Sequence, residues 1–174
     1  VGLASFRFDG TALRGSIEGA TEVVVPLADL ACLLRLDADV VHLSHLTPKS
    51  LVEAAVEGDA LWPMRRDRAA TGSSLVAAGR TVARGLGVHS RSRVVYVAPG
   101  GVGQFLTYVA FDDSALQLPV RGAVEVVVQV GSREPVRFSL AAGDAPRKVG
   151  PLPVAPGDEV SLEIDFGKGR DLGD

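Results

Sequence analysis

Apolar and polar residues alternate with period two along much of the second half of the chain. Val160, Leu162, Ile164 and Phe166 alternate with Ser161, Glu163 and Asp165, the pattern of a strand with one face on a core and the other in water. Val136, Phe138 and Leu140 alternate in the same way with Arg137 and Ser139. Val124, Val126, Val128 and Val130 set one face of a longer strand, whose other face carries Glu125, Val127 and Gln129. Segments 93–97 and 104–111 are rich in β-branched and aromatic residues and read as further strands. Turn chemistry separates them at Pro99-Gly100-Gly101, Gly131-Ser132, Gly143-Asp144-Ala145-Pro146 and Pro156-Gly157-Asp158. Short strands divided by such breakers predict an all-β, antiparallel sandwich or barrel.

The first forty or so residues have a different texture. Segments 3–8, 12–17 and 22–25, with Asp9-Gly10 between the first two, predict a small β-meander. Segment 27–37 fits a strand or a short helix. One other helix is expected, over 48–57, where Thr47 suits a cap and Pro48 the first helical position.

Composition narrows the function classes. Of 174 residues, 47% are hydrophobic and 22% charged, with a net charge of −3 and the signs well mixed. That is a globular composition without the basic footprint of a nucleic-acid binder. No apolar run approaches the ~18 residues a membrane helix needs, so membrane insertion is not expected. The single cysteine, Cys32, rules out a disulfide within the chain and reads as a small buried hydrophobe in an apolar run. No signal peptide is visible; the chain opens with Val1 rather than Met and reads as a fragment of a larger, multidomain protein.

No set of residues supports catalysis. The chain has no Gly-x-Ser-x-Gly, no His-Glu-x-x-His and no glycine-rich phosphate loop. Asp112-Asp113 is the nearest approach to a carboxylate pair. Neighbours on a strand point to opposite faces, so the two are not expected to flank a glycosidic bond together. His42 and His45, three apart on an expected strand, are likewise assigned to opposite faces and read as ordinary histidines rather than metal ligands.

Segment 62–96 is the most informative. The only tryptophan, Trp62, precedes Pro63 in a loop that also holds Arg65, Arg66, Asp67 and Arg68. It reads either as a platform on which the apolar face of a sugar stacks or as a plug at one end of the sandwich. Farther on, Gly85-Leu86-Gly87 precedes Val88-His89-Ser90, which implies a backbone either tightly packed or in a positive-φ conformation.

Taken in order, Leu43-Ser44, Trp62-Pro63, Arg66-Asp67-Arg68, Gly79-Arg80-Thr81, Gly85 to Ser90, Arg93 with Tyr96, Asp112-Asp113, Arg121-Gly122 and Gly143 to Pro146 resemble the NPCBM family of carbohydrate-binding modules. The resemblance runs from about His42 to Phe166. It implies a galactose-binding-like jelly-roll sandwich over 42–174, with residues 1–41 as an N-terminal β appendage. It also implies a non-catalytic module of secreted, periplasmic or cell-surface glycan-active proteins, often with a structural calcium ion. On this resemblance Trp62, Arg66, Asp67 and His89 are the expected sugar-binding residues, and Asp112 and Asp113 either hold a metal ion or order a loop. The chain departs from the family pattern at His42 and His45, where Tyr and Asp are usual, at Val82, where Tyr is usual, and at Ser114, where an acidic residue is usual. It stops at Asp174, where a segment with His, Asp and Trp usually follows. The other reading is a structural or protein-interaction sandwich in which Trp62 and His89 only pack.

Overall fold

The computed structural model describes residues 5–16, 22–30, 40–54, 62–119 and 121–167. Cys32, most of segment 27–37 and the end of segment 48–57 lie outside them. Two compact units, Val1–Arg35 and Leu36–Asp174, make up the chain.

In the first unit, β1 (Ser5–Phe8), β2 (Ala12–Ser16) and β3 (Glu22–Pro26) form an antiparallel sheet in the order β1-β2-β3. Asp9 fixes its first turn. One carboxylate oxygen accepts the Thr11 and Ala12 amides and the Thr11 hydroxyl, and the other accepts Arg14 Nε at 2.5 Å. The Arg14 contact and then those amides hold the Asp9 carboxyl well below the usual carboxylate range. Segment 27–37 begins as a single 3-10 turn, Leu27–Asp29.

The second unit opens with a 3-10 turn, Leu43–His45. It continues with β4 (Ser50–Glu53), β5 (Arg65–Arg66), β6 (Val76–Ala77), β7 (Arg80–Thr81) and β8 (Leu86–Gly87). Then come β9 (Ser92–Val97), β10 (Gln104–Val109) and a 3-10 turn at Asp113–Gln117. The last strands are β11 (Ala123–Val130), β12 (Val136–Ala141), β13 (Arg147–Pro153) and β14 (Glu159–Phe166). The large sheet has the order β12-β11-β14-β9-β4, antiparallel throughout, and β10 pairs with β13 in a second sheet. The core lies between them. Val124, Val126, Val128 and Val130 of β11 meet Phe138 and Leu140 of β12, Val160 of β14, Phe105 of β10 and Val149 of β13. Each such buried side chain contributes about 1.5–3 kcal/mol by leaving water.

Two expectations fail here for local reasons. Segment 48–57 is not a helix: 50–53 form the edge strand β4, paired with Ser92–Val95 of β9. Lys49 N bonds Val95 O at 2.7 Å and Ala54 N bonds Arg91 O at 3.2 Å, so the ladder extends past both ends of the strand. A free sheet edge satisfies this backbone better than two helical turns with a weak apolar stripe. His42 and His45 are not on a strand either. The 3-10 turn brings residues three apart onto one side, and their rings stand 5.7 Å apart in an edge contact.

One strand, β13, carries no period-two signal. Its sequence is interrupted by Gly150-Pro151, where the register with β10 shifts between Phe105 and Thr107. Gly150 has φ +99°, and a Cβ there would lie 2.5 Å from Phe105 O. The bulge therefore requires glycine.

Candidate functional site

The site is built by the loops between β4 and β9. Met64 N donates to the Glu53 carboxylate at the end of β4, and β5 pairs with β8 as Arg65↔Gly87 and Arg66↔Leu86. Continued outward, that antiparallel register runs through Pro63 and His89, and Trp62, one residue farther, stands against the imidazole. Their ring centroids are 5.7 Å apart, with planes tilted by 41°. Trp62 is 47% exposed and is no plug of the core. Ser90, 2% exposed, places its hydroxyl 3.2 Å from His89 Nδ1 and steadies the imidazole.

Gly87 makes this possible through space rather than conformation. A Cβ there would lie 2.2 Å from Arg68 O and 2.6 Å from Ala70 N, because the 68–70 backbone crosses directly over it. Its φ is not positive; the left-handed positions in these loops are Asp67, Gly72, Ala78, Gly79 and Arg91. Of the two explanations the sequence allowed for the glycine pair, close approach is the one the structure shows at Gly87.

Asp67 ties the loops together. Its amide donates to Gly85 O at 2.8 Å, and its carboxylate accepts Gly85 N at 3.1 Å and Arg84 Nη1 at 2.8 Å. Burial pushes the carboxyl up, but the Ser44 hydroxyl, the Gly85 amide and the Arg84 guanidinium outweigh it and hold Asp67 below the usual carboxylate range. Ser44 is 4% exposed and sits beside the carboxylate without a well-aligned hydrogen bond. Arg66 is exposed, and its charge acts on Tyr96, whose phenol burial pushes up and Arg66 pulls partly back.

A cavity of about 1220 Å³ runs from Trp62 and His89 past His42, Ser44 and Arg84 to β10. Its lining includes Trp62 and His89 but neither Arg66 nor Asp67. The structure thus brings two of the four expected sugar-binding residues together on the cavity lining, while Arg66 and Asp67 do not line it. Asp67 is already engaged by protein groups. His42, Ser44 and Arg84 are additions; the Leu43-Ser44 segment signalled their region, but the sequence carried no sign that Arg84 would meet Asp67.

Asp112 and Asp113 do not diverge as strand neighbours would. Asp112 caps the Asp113–Gln117 turn, and both carboxylates reach the β6–β7 hairpin. Asp112 Oδ2 accepts Val76 N at 2.9 Å, while Asp113 Oδ1 and Oδ2 accept Ala78 N at 2.9 Å and Gly79 N at 2.7 Å. Asp112 Oδ1 takes the amide and hydroxyl of Ser114. Calcium needs six to eight oxygen ligands turned toward it. All four oxygens of this pair instead face N–H or O–H donors, so the pair does not fit that ion. Among the described residues no cluster of three or more His, Cys, Asp or Glu side chains is placed to hold a metal, and no helix is long and apolar enough to cross a membrane.

The profile of the NPCBM/NEW2 domain matches residues 39–174. The chain belongs to this family. This NPCBM module is non-catalytic and of the carbohydrate-binding kind, with an antiparallel β-sandwich of the galactose-binding-like type. Among solved structures it is similar to the CBM51 module of Clostridium perfringens GH95 in complex with methyl-galactose, at 23% identity and a TM-score of 0.59, over 75% of this chain and 92% of that one. It is also similar to the CBM51-2 and INT domains of C. perfringens ZmpB with GlcNAc, at 21% identity and a TM-score of 0.62, over 99% of this chain and 38% of that one. A third relative joins the ZmpB M60 catalytic domain to its CBM51-1 and CBM51-2 domains, at 19% identity and a TM-score of 0.65; 99% of this chain covers 18% of it. No curated protein sequence matches the chain.

Proposed function

We propose that this module binds a terminal sugar of a glycan at the Trp62–His89 mouth and so keeps an attached activity close to its substrate outside the cell. The half-exposed Trp62 ring beside His89, at the opening of the cavity, carries this reading. A pyranose presents a C–H face to stack on indole, and the imidazole is positioned to hydrogen-bond a hydroxyl at the ring edge. Arg66, exposed and paired in register with the cavity-lining Leu86, supplies a further donor, and Asp67 positions the loop through Arg84 and Gly85. A galactose-type sugar is the first candidate, because one structural relative is complexed with methyl-galactose; GlcNAc, bound in another, is the second. Attachment to a larger protein strengthens the contact through effective concentration.

A glycan array probed with the full chain tests this reading. Binding to one sugar class is expected, with at least tenfold loss, about 1.4 kcal/mol, in Trp62→Ala and an unchanged melting temperature. Equal binding by Trp62→Ala, or no binding to any glycan by the folded chain, would overturn it.

A further inference from the structure

We infer that Asp112 and Asp113 act as a built-in clamp on the wall of the cleft, doing with carboxylate oxygens what a bound cation would otherwise do. The clamped element is the β6–β7 hairpin, whose Val76 and Ala77 line the cavity. Its strands pair as Val76↔Thr81 and Ala77↔Arg80, with one more backbone bond from Val82 N to Leu75 O at 2.9 Å. An isolated hairpin this short is marginal at best in water, so further contacts are needed to fix it.

The turn geometry identifies that support. Ala78 has φ 51° and Gly79 φ 73°, which together describe a type I′ turn, with both central residues left-handed. Glycine enters that region freely; alanine does so only under constraint. In this turn the successive N–H groups of Ala78 and Gly79 both point to one side, a concavity of the kind in which turns bind anions. The Asp113 carboxylate fills it, one oxygen on each amide. Asp112 adds the bond to Val76 N at the base of the hairpin and is itself held by Ser114 N at 3.1 Å and Ser114 Oγ at 2.6 Å. Five donors therefore converge on four oxygens. A cation entering here would meet the positive ends of those dipoles and would have to displace them, collapsing the turn it was meant to order. The inference concerns the hairpin and stands whether or not the ligand is a sugar.

The test uses the full chain without glycan. In wild type, melting temperatures in millimolar calcium chloride and in EDTA should agree to about 1 °C. A structural site filled at about a hundredfold over its Kd would instead raise the melting temperature by several degrees. Amide exchange should show Ala78 and Gly79 protected in wild type and at least tenfold faster in Asp113→Ala. Ala78→Gly, which relieves the left-handed alanine, should recover part of the melting temperature lost in Asp113→Ala. A calcium-dependent rise that disappears in Asp113→Asn would overturn the inference, as would unprotected Ala78 and Gly79 amides in wild type. The wild-type arms decide the matter even where Asp113→Ala fails to fold.

Discussion

Strands β9 and β14 are joined by six successive residue pairs, whereas β5 and β8, which set the Trp62–His89 mouth, are joined by two. In the large sheet each strand is held along its length by ladder bonds and by a stack of valines, so the loss of one contact is shared among many. The loop shell from Trp62 to Ser90 has no such redundancy. Its geometry rests on a few singular contacts: the chain crossing over Gly87, the Asp67 bonds to Arg84 and Gly85, and the carboxylates on the β6–β7 hairpin. Damage in the sheet should therefore scale with the volume removed, and damage in the shell with position.

The largest effect is expected at a glycine of the shell. Gly87→Ala pushes a methyl group into the 68–70 backbone, which cannot step aside as a side chain would. We expect a loss of more than about 3 kcal/mol, or no folded protein at all. Gly103→Ala meets nothing within 4 Å and has no positive φ, so it should change stability by under about 0.5 kcal/mol. Thermal denaturation of the two variants side by side decides the point; comparable melting temperatures would mean that the crossing is slack.

The same contrast governs what could be read in advance. Strands β11, β12 and β14 were legible because the two faces of a half-buried strand impose period two directly on the sequence, and β9 through its β-branched and aromatic content. The bulged β13 was not, because Gly150-Pro151 answers to the Phe105 carbonyl of a neighbouring strand, a contact no local pattern encodes. Segment 48–57 carried real helix-start chemistry and was overruled by the open edge of β9. In the site, Trp62 and His89 stood out as residue types, yet their ring contact is made by loops joined through a two-residue ladder too short to leave a periodic trace. Asp112 and Asp113 were assigned to opposite faces because a 3-10 turn was not foreseen, and that turn is what aims both at one hairpin.

The Asp67 junction predicts a smaller effect with a definite pH dependence. Asp67→Asn keeps the volume and removes the charge that Arg84 faces at 2.8 Å. About 1 kcal/mol should be lost at neutral pH, modest because the pair is partly exposed. The folded carboxyl titrates below its unfolded value. Its contribution is therefore complete above the ordinary carboxylate range, near pH 4, and is lost as pH falls through the depressed folded value. Wild type and Asp67→Asn should converge in urea melts taken at progressively lower pH. A gap that persists unchanged at the acid end would show that the amide disturbs packing rather than charge.

The smallest effect expected is at Tyr96, where the two regions meet. It belongs to the sheet by register, opposite Val160, and is 0% exposed, but its neighbour in charge is Arg66 of the shell. Its hydroxyl is buried without a hydrogen-bond partner among the described residues. A buried hydroxyl that makes no bond loses its water and gains nothing in return, so its removal should not destabilise. Tyr96→Phe is thus expected to be neutral or up to about 1 kcal/mol more stable in denaturant melts. A loss of that size instead would mean that the phenol is bonded in solution, with Arg66, whose charge reaches it, as the candidate donor. Arg66 would then be occupied by the interior, and the sugar reading of the rim would have to rest on Trp62 and His89 alone.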